Sequence, residues 1–207
     1  MSVWFTADTH FGHANIIRHC RRPFADVHAM DAHLIDRINE RVGPDDILYH
    51  LGDFAKRSAD AAAYRSRIRC RRIVLVLGNH DPQTLSGRVR PEFVGLFQEV
   101  HSLLRIKVPV NGEPQLIVLC HYALRVWDRA HYGAWHLFGH SHGGLADDPH
   151  ARSWDIGVDH NGYAPLSLDE VAAIMSRKTF RPVDHHRGAG PGHERQGGPE
   201  ATGTSPE

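Results

Sequence analysis

The chain has 207 residues, 41% of them hydrophobic, which suffices for one domain with a substantial core and is too short for two full-sized domains. Its 24 Lys and Arg residues balance its 24 Asp and Glu residues, so zero net charge gives no global attraction to nucleic acid or anionic membranes. Three widely spaced cysteines outside any CxxC pattern argue against a disulfide framework or a thiolate zinc site, and without a signal sequence they indicate a cytoplasmic protein.

The first part of the chain alternates short apolar runs with helical patterns. Each apolar run is followed by a turn containing Asp, Gly or Asn, which predicts three strands, at 3–7, 47–51 and 73–77. Apolar residues recur at four-residue spacing from Met30 to Val42, and 60–69 is rich in alanine, so two helices are predicted between the strands. Connections of this length indicate a mostly parallel sheet. No run approaches the roughly 18 residues of a membrane span, so no membrane partner is expected.

The pattern changes after residue 91. Two apolar segments flank Asn111-Gly112, a dipeptide typical of tight hairpin turns, and two further segments continue the series. Together they predict a second, more antiparallel sheet, with strands at 103–108, 115–120, 135–138 and 153–158.

The end of the chain combines one helix with a polar tail. Ser167 and Glu170 form a capping box, which predicts a last helix ending at about residue 177. From residue 183 onward the sequence is Gly, Pro, His and charge without apolar periodicity. We therefore expect a single domain over 1–182 followed by a disordered tail over 183–207.

Side chains typical of metal ligands follow five of the predicted strands. The motifs are Asp8-Thr9-His10, Gly52-Asp53, Gly78-Asn79-His80-Asp81, His121 and Gly139-His140-Ser141-His142. In open α/β sheets, ligands gather at the carboxyl ends of strands, so we expect these motifs to meet. Carboxylate oxygens, an amide oxygen and imidazole nitrogens are the donors that a two-metal phosphoester-cleaving centre needs.

The spacing of the motifs suggests how ions are shared. Asp8 and His10 have one residue between them, so in an extended segment both side chains leave on the same side and can grip one ion, and 140–142 repeats that spacing. Asp53 has two carboxylate oxygens and can bridge two ions. Asn79 offers a neutral oxygen and His121 a nitrogen.

In order, spacing and residue identity, the motifs resemble those of the calcineurin-like metallophosphoesterase superfamily over residues 3–165, and 7–13 resembles its small bacterial and phage members. The resemblance implies an α/β fold, a four-layer α/β/β/α sandwich of two mixed sheets. It implies one ion held by Asp8, His10, Asp53 and His142, and another held by Asp53, Asn79, His121 and His140. It also implies that His80 assists the leaving group as proton donor or transition-state stabiliser, with Asp81 orienting its imidazole.

The donor set indicates which ions to expect. Oxygen and nitrogen donors without thiolate favour two divalent ions of manganese, iron or zinc over calcium, and magnesium is less suited to several imidazoles. We therefore expect a hydrolase that cleaves a phosphomonoester or phosphodiester, most simply of a small molecule, by attack of a metal-activated water or hydroxide at a dinuclear centre.

Two alternatives share the same fold. The first is a nuclease acting on DNA or RNA with this centre, which the basic run over 65–72 would favour, although that run is also typical of a solvated helix end. The second is a binding scaffold that no longer turns over, which the complete set of motifs disfavours. A protein phosphatase is disfavoured because Asp53 is followed by Phe54-Ala55-Lys56-Arg57.

Several further residues are open to two interpretations. We interpret His13 as an ordinary polar residue at the start of a helix rather than a substrate contact, and His50 as a hydrogen-bonded core histidine. Three aromatic residues either line the pocket or pack in the core, namely Trp127, Tyr132 and Trp135. No catalytic role is assigned to Asp155, Asp159, His185 or His186.

Overall fold

The computed structural model describes residues 1–81, 93 and 95–183. In chain order its elements are β1 (Val3–Thr6), α1 (Ala14–His19), α2 (Val27–Arg41), β2 (Ile47–His50), α3 (Ser58–Arg67), β3 (Arg72–Val76), β4 (Glu99–His101), β5 (Leu103–Val110), β6 (Glu113–Cys120), a 3-10 turn (Ala130–Tyr132), β7 (Trp135–Phe138), β8 (Ser153–Asp155), β9 (Leu166–Ser167) and α4 (Leu168–Ser176).

The first sheet is mixed, with strand order β4-β3-β2-β1-β9. Its first four strands are parallel, as the helical connections predict, and β9 is antiparallel to β1. The helix α2 begins earlier than its apolar repeat because the Asp26 side chain accepts a hydrogen bond from the Ala29 N–H at 2.8 Å. Buried residues of α2, including Met30 and Leu34, belong with Ile73 of β3 to one of the two cores.

The second sheet has strand order β5-β6-β7-β8. The hairpin between β5 and β6 turns at Asn111 and Gly112, whose φ values of 52° and 85° fit the tight turn that the sequence predicts. The pairs β6-β7 and β7-β8 are parallel, so the prediction of a more antiparallel sheet is wrong for two of the three pairs. The parallel pairing brings the carboxyl ends of β6 and β7 to one edge, and the motifs at His121 and His140 follow those ends.

The second core lies between the two sheets. Phe5 of β1 and Ile117 of β6 belong to it, and so do Val171 and Met175, which place α4 against the same apolar cluster. The capping box of α4 is present, with the Ser167 side chain accepting from the Glu170 N–H. The packing confirms the predicted α/β fold built on two mixed sheets.

The outer face of the second sheet is covered by the segment 121–134. The Trp127 ring lies 5.3 Å from the ring of His136 on β7, and the indole donates to the Ala134 carbonyl. Within the described residues this outer layer contains a 3-10 turn. Of the predicted tail, all residues beyond Val183 lie outside the described residues. None of the helices in the described ranges is long and apolar enough to cross a membrane.

Candidate metal centre

The loops that follow β1 and β2 are joined by main-chain hydrogen bonds. The Asp8 N–H donates to the Gly52 carbonyl at 3.0 Å, and the His10 N–H donates to the Asp53 carbonyl at 2.9 Å. Adjacent parallel strands therefore deliver two predicted motifs to one place.

The backbone at the motifs is unusual. Five of the predicted ligands have positive φ, in the left-handed region that residues other than glycine rarely adopt, namely Asp8, His10, Asp53, His140 and His142. Such conformations persist where the surroundings hold them, and they concentrate at functional sites. The expectation that 8–10 and 140–142 are extended is wrong, although the side chains still converge.

The first cluster consists of Asp8, His10 and His142, whose ligand atoms lie within 4.8 Å of one another. Asp8 is fully buried, and its carboxylate accepts the His140 N–H at 3.0 and 3.1 Å. A Cβ at Gly139 would lie 2.5 Å from Asp8 Oδ2, so this carboxylate needs a glycine beside it.

The second cluster consists of Asp53, His121 and His140, with ligand atoms again within 4.8 Å. His121 Nδ1 lies 2.7 Å from the Leu51 carbonyl oxygen, so Nδ1 carries the proton and Nε2 presents a lone pair. The Asn79 Oδ1 atom lies 3.1 Å from that Nε2. Two acceptor atoms that face each other without a proton between them suit a shared cation.

Asp53 lies between the clusters. Its Oδ2 atom is 3.4 Å from His10 Nε2 and 3.6 Å from His121 Nε2, while Oδ1 accepts the His80 N–H at 2.8 Å. His140 and His142 therefore fall in different clusters, as the family resemblance implied and the spacing argument did not.

Burial sets the charges of the centre. It raises the pKa of Asp8, with the neighbouring Asp53 carboxylate adding to the rise and His142 opposing it. Burial also lowers the pKa of His10, and the adjacent His142 and Arg22 lower it further. A neutral imidazole and buried carboxylates are ready to bind a cation, which would offset the cost of burying negative charge.

The residues fit divalent metal ions by a direct structural test. His10 Nε2 is buried without a hydrogen-bond partner among the described residues, although it faces the Asp53 carboxylate. Buried polar atoms are otherwise almost always paired. Three observations therefore fit bound cations. They are this unpaired nitrogen, the facing acceptors at Asn79 and His121, and the glycine that leaves room beside the Asp8 carboxylate.

The two predicted catalytic residues lie in different surroundings. His80 is exposed, and its ring is 5.1 Å from the ring of His10, at the mouth of the first cluster. Asp81 is buried, and its carboxylate accepts the N–H groups of Gly78 and Asp53, both at 2.8 Å, and of Phe54 at 3.0 Å. The expected contact of Asp81 with the His80 imidazole is absent from the described residues, so Asp81 instead ties the loops after β2 and β3 together.

His13 is the N-cap residue of α1, as its interpretation at the start of a helix predicts, and it also lies beside the first cluster. Its Nδ1 is 3.4 Å from His10 Nδ1, and its ring is 5.7 Å from the ring of His80. Burial lowers the pKa of His13 to about 4, with Lys56 and His80 adding to the effect, so its imidazole is neutral at pH 7.

Three supporting residues were missed from the sequence. Asp155 accepts the Ser141 hydroxyl at 2.6 Å and the Gly143 N–H at 2.9 Å, and so holds the turn that carries His140. Arg22 and Asp159 form a buried ion pair behind the first cluster. The only sequence signal was the position of two acidic residues around Gly157, and nothing in the sequence marked Arg22.

The aromatic candidates divide by burial. Trp135 is 5% exposed and belongs to the core between the sheets, whereas Tyr132 is exposed to solvent. Tyr122, which the sequence did not single out, lies with its ring 5.0 Å from the rings of both His121 and His140. His50 is the hydrogen-bonded core histidine that the sequence predicts, with Nε2 2.9 Å from the Thr9 hydroxyl.

Known proteins resemble this chain over most of its length. A family model described as calcineurin-like phosphoesterase matches residues 1–190. An uncharacterized protein of Methanocaldococcus jannaschii is 30% identical over 190 residues, which cover 88% of this chain and 96% of that protein. The Gene 66 protein of Mycobacterium phage L5 is 29% identical over 197 residues, which cover 84% of this chain and 94% of that protein.

Among solved structures, a protein of unknown function from Aquifex aeolicus has a similar fold. Its TM-score is 0.61 at 23% identity, with 84% of this chain and 98% of that chain covered. This likeness supports the fold alone.

Proposed function

The chain belongs to the calcineurin-like phosphoesterase family, and on that premise we propose that it hydrolyses a phosphomonoester or phosphodiester at a centre of two divalent metal ions. The observation that carries the proposal is the position of Asp53, whose Oδ2 lies within 3.6 Å of an imidazole nitrogen of each cluster. A carboxylate shared in this way is what a bridge between two ions requires.

The ligands divide between the two ions as the clusters do. Asp8, His10 and His142 would hold the first ion with one oxygen of Asp53, and Asn79, His121 and His140 would hold the second with the same carboxylate. Ions held by these residues would lower the pKa of bound water and would bind the oxygens of the phosphoryl group. The protein supplies a rigid buried floor, because Asp8, His10, Asp53 and His121 are all nearly inaccessible to solvent.

His80 is proposed to act on the leaving group. It is exposed, it lies beside His10, and its main-chain N–H is held by the bridging carboxylate. An imidazole in this place can donate a proton to the departing oxygen or stabilise the charge that develops on it. Asp81 acts through the loops, since it fixes the main chain at Asp53 and Gly78.

The donor set favours particular metals. Oxygen and imidazole nitrogen donors suit manganese, iron or zinc, and several imidazoles make magnesium a weaker fit. We propose manganese for the first assays.

A small-molecule phosphate ester is the favoured substrate class. Four arginines of the basic run that could have attracted nucleic acid have partners within the protein. Arg65, Arg69 and Arg72 donate to main-chain carbonyls, and Arg71 donates to the Asp45 carboxylate. With zero formal net charge, the chain offers little electrostatic attraction to a polyanion.

The proposal is tested by hydrolysis assays on full-length protein depleted of metal and then supplied with manganese, zinc or magnesium. One generic phosphomonoester, one generic phosphodiester and one labelled single-stranded oligonucleotide serve as substrates. We expect cleavage of at least one small ester, dependent on added metal and abolished by chelator. Cleavage of the oligonucleotide alone would favour the nuclease, and no cleavage of any substrate by protein carrying two ions would favour the scaffold.

A further inference from the structure

Arg22 forms a buried link between two parts of the metal centre. It is 3% exposed, and its Nε and Nη2 atoms donate to the two carboxylate oxygens of Asp159, both at 2.8 Å. Nη2 also donates to the Asp8 carbonyl at 2.7 Å, and Nη1 donates to the Thr9 carbonyl at 3.1 Å. One guanidinium group therefore binds both a carboxylate and the main chain that carries the first cluster.

Asp159 extends this link to a predicted ligand. Its Oδ2 atom accepts a hydrogen bond from His142 Nδ1 at 2.6 Å. The same carboxylate therefore accepts hydrogen bonds on two sides, from His142 and from the Arg22 guanidinium.

The contact determines how His142 faces the centre. With Nδ1 committed to Asp159, Nε2 is the atom that remains for a cation near Asp8 and His10. The His142 ring is also stacked on the His10 ring, at 5.2 Å between centroids. The orientation of this imidazole is set by the residues behind it.

We propose that Arg22 and Asp159 act as positioning residues for the first ion. Asp159 fixes the tautomer and ring orientation of His142, and Arg22 holds the main chain at Asp8 in place beside that histidine. We call this pair the Arg22–Asp159 clamp. The inference rests on the proposed function, because it takes His142 as a ligand of the first ion.

The energetics of burial support a role beyond stability. A fully buried ion pair contributes little net stability, since the loss of hydration largely offsets the attraction, and apolar residues of similar volume often serve as well. Side-chain exposures of 0% and 5% place Arg22 and Asp159 in this class. Carboxylates that orient metal-binding histidines typically account for about 10- to 100-fold in metal affinity.

The test is a manganese titration of metal-depleted, full-length protein by calorimetry. In wild type we expect two ions per chain. In Asp159→Ala we expect the affinity for one ion to fall about 10- to 100-fold, with the other changed much less. Glu170→Ala is the matched control, because it breaks an ion pair with Arg41 and the capping box of α4, away from the centre. It should lower thermal stability and leave both affinities unchanged.

A second variant guards against misfolding, since Asp159→Ala leaves the Arg22 charge buried and unpaired. The double variant Arg22→Met with Asp159→Leu replaces the pair by apolar side chains and should fold. It should still lose affinity for one ion. Two wild-type affinities in this variant would overturn the clamp.

A spectroscopic readout separates positioning from a structural effect. In metal-free wild type, ¹H–¹⁵N correlation spectra should show the His142 Nδ1 proton hydrogen-bonded to Asp159, and the double variant should lose that signature. An unchanged His142 spectrum would overturn the clamp. Failure of wild type to bind two ions would instead contradict the proposed function, so the two failures are distinguishable.

Discussion

The two clusters of the candidate metal centre hold their histidines in different ways. In the first, His142 Nδ1 lies 2.6 Å from the Asp159 carboxylate, which is itself bound by a buried arginine. In the second, His121 Nδ1 lies 2.7 Å from the main-chain carbonyl of Leu51, and the exposed His140 packs against the ring of Tyr122. One cluster thus depends on a buried charge network and the other on the backbone of a strand end.

Because of this difference, side-chain substitutions should affect the two clusters differently. A main-chain carbonyl stays in place whatever the side chain is, so the support of His121 is insensitive to substitution at Leu51. The support of His142 can be removed by changing one carboxylate. The first cluster should therefore be the more sensitive to changes in surrounding side chains, and the second to changes in its own ligands.

The largest effect should follow from removing the residue that both clusters share. Asp53→Ala should bind at most one ion and lose more than about 10³-fold in turnover, because the ions contribute several kcal/mol of transition-state stabilisation. Metal content is measured by elemental analysis and turnover with the ester found active. Asp36→Ala, on an exposed position of α2, is the control and should keep both. Two tightly bound ions in Asp53→Ala would contradict the bridge.

His80→Ala should lose nearly as much turnover as Asp53→Ala but should keep its bound metal. The variant lacks the group proposed to assist the leaving oxygen, so its rate should fall about 10²- to 10⁴-fold while both clusters still bind their ions. Rates and metal content are compared with those of His28→Ala, an exposed position on α2. An unchanged rate on the active ester would remove His80 from the proposed chemistry.

A moderate effect should be seen in the pH dependence of the free energy of unfolding, to which the buried His50 contributes. Its ring contacts Thr9, next to the first cluster. Burial lowers the pKa of His50 to about 3, so the folded chain keeps it neutral while the unfolded chain binds a proton below about pH 6.5. Its contribution to stability is complete above pH 6.5 and is lost as the pH falls toward 3. Between pH 7 and pH 5 this loss is about 2 kcal/mol.

Replacing His50 with a residue that does not titrate tests this. In denaturant unfolding of metal-free protein, His50→Gln should lose about 2 kcal/mol less than wild type between pH 7 and pH 5. The exposed His28→Gln should follow wild type. A His50→Gln variant with the wild-type pH dependence would show that His50 is protonated in the folded chain.

The smallest effect should come from the aromatic support of the second cluster. Tyr122→Ala removes a ring that is 5.0 Å from both His121 and His140, a contact worth about 0.5–1.5 kcal/mol, so affinity for one ion should fall about 2- to 10-fold. Tyr122→Phe keeps the ring and should match wild type in the same calorimetric titration. A loss in the Ala variant exceeding that caused by Asp159→Ala would reverse the order of the two supports.

The sequence predicted which candidate ligands lie close together better than it predicted their surroundings. Asp8, Asp53 and Asn79 could be grouped because strand ends of a parallel sheet meet at one edge and their side chains suit metal ions. The left-handed backbone at Asp8 and His10 could not be found, since spacing alone suggested an extended segment.

The supporting contacts were hidden for a different reason. Arg22 and Asp159 are 137 positions apart, and only folding brings them together. Asp81 was assigned to His80 by family resemblance, whereas its carboxylate binds three main-chain N–H groups. The parallel pairing of β6, β7 and β8 could not be predicted either, because the alternation of apolar and polar residues in a short strand is the same whichever way the strand runs.

The most direct measurement is electron paramagnetic resonance of the wild-type protein titrated with manganese. A shared Asp53 carboxylate predicts two manganese ions per chain whose spectrum shows the exchange coupling of a bridged pair. A single ion per chain, or two ions with the uncoupled six-line spectrum of isolated manganese, would contradict a dinuclear centre.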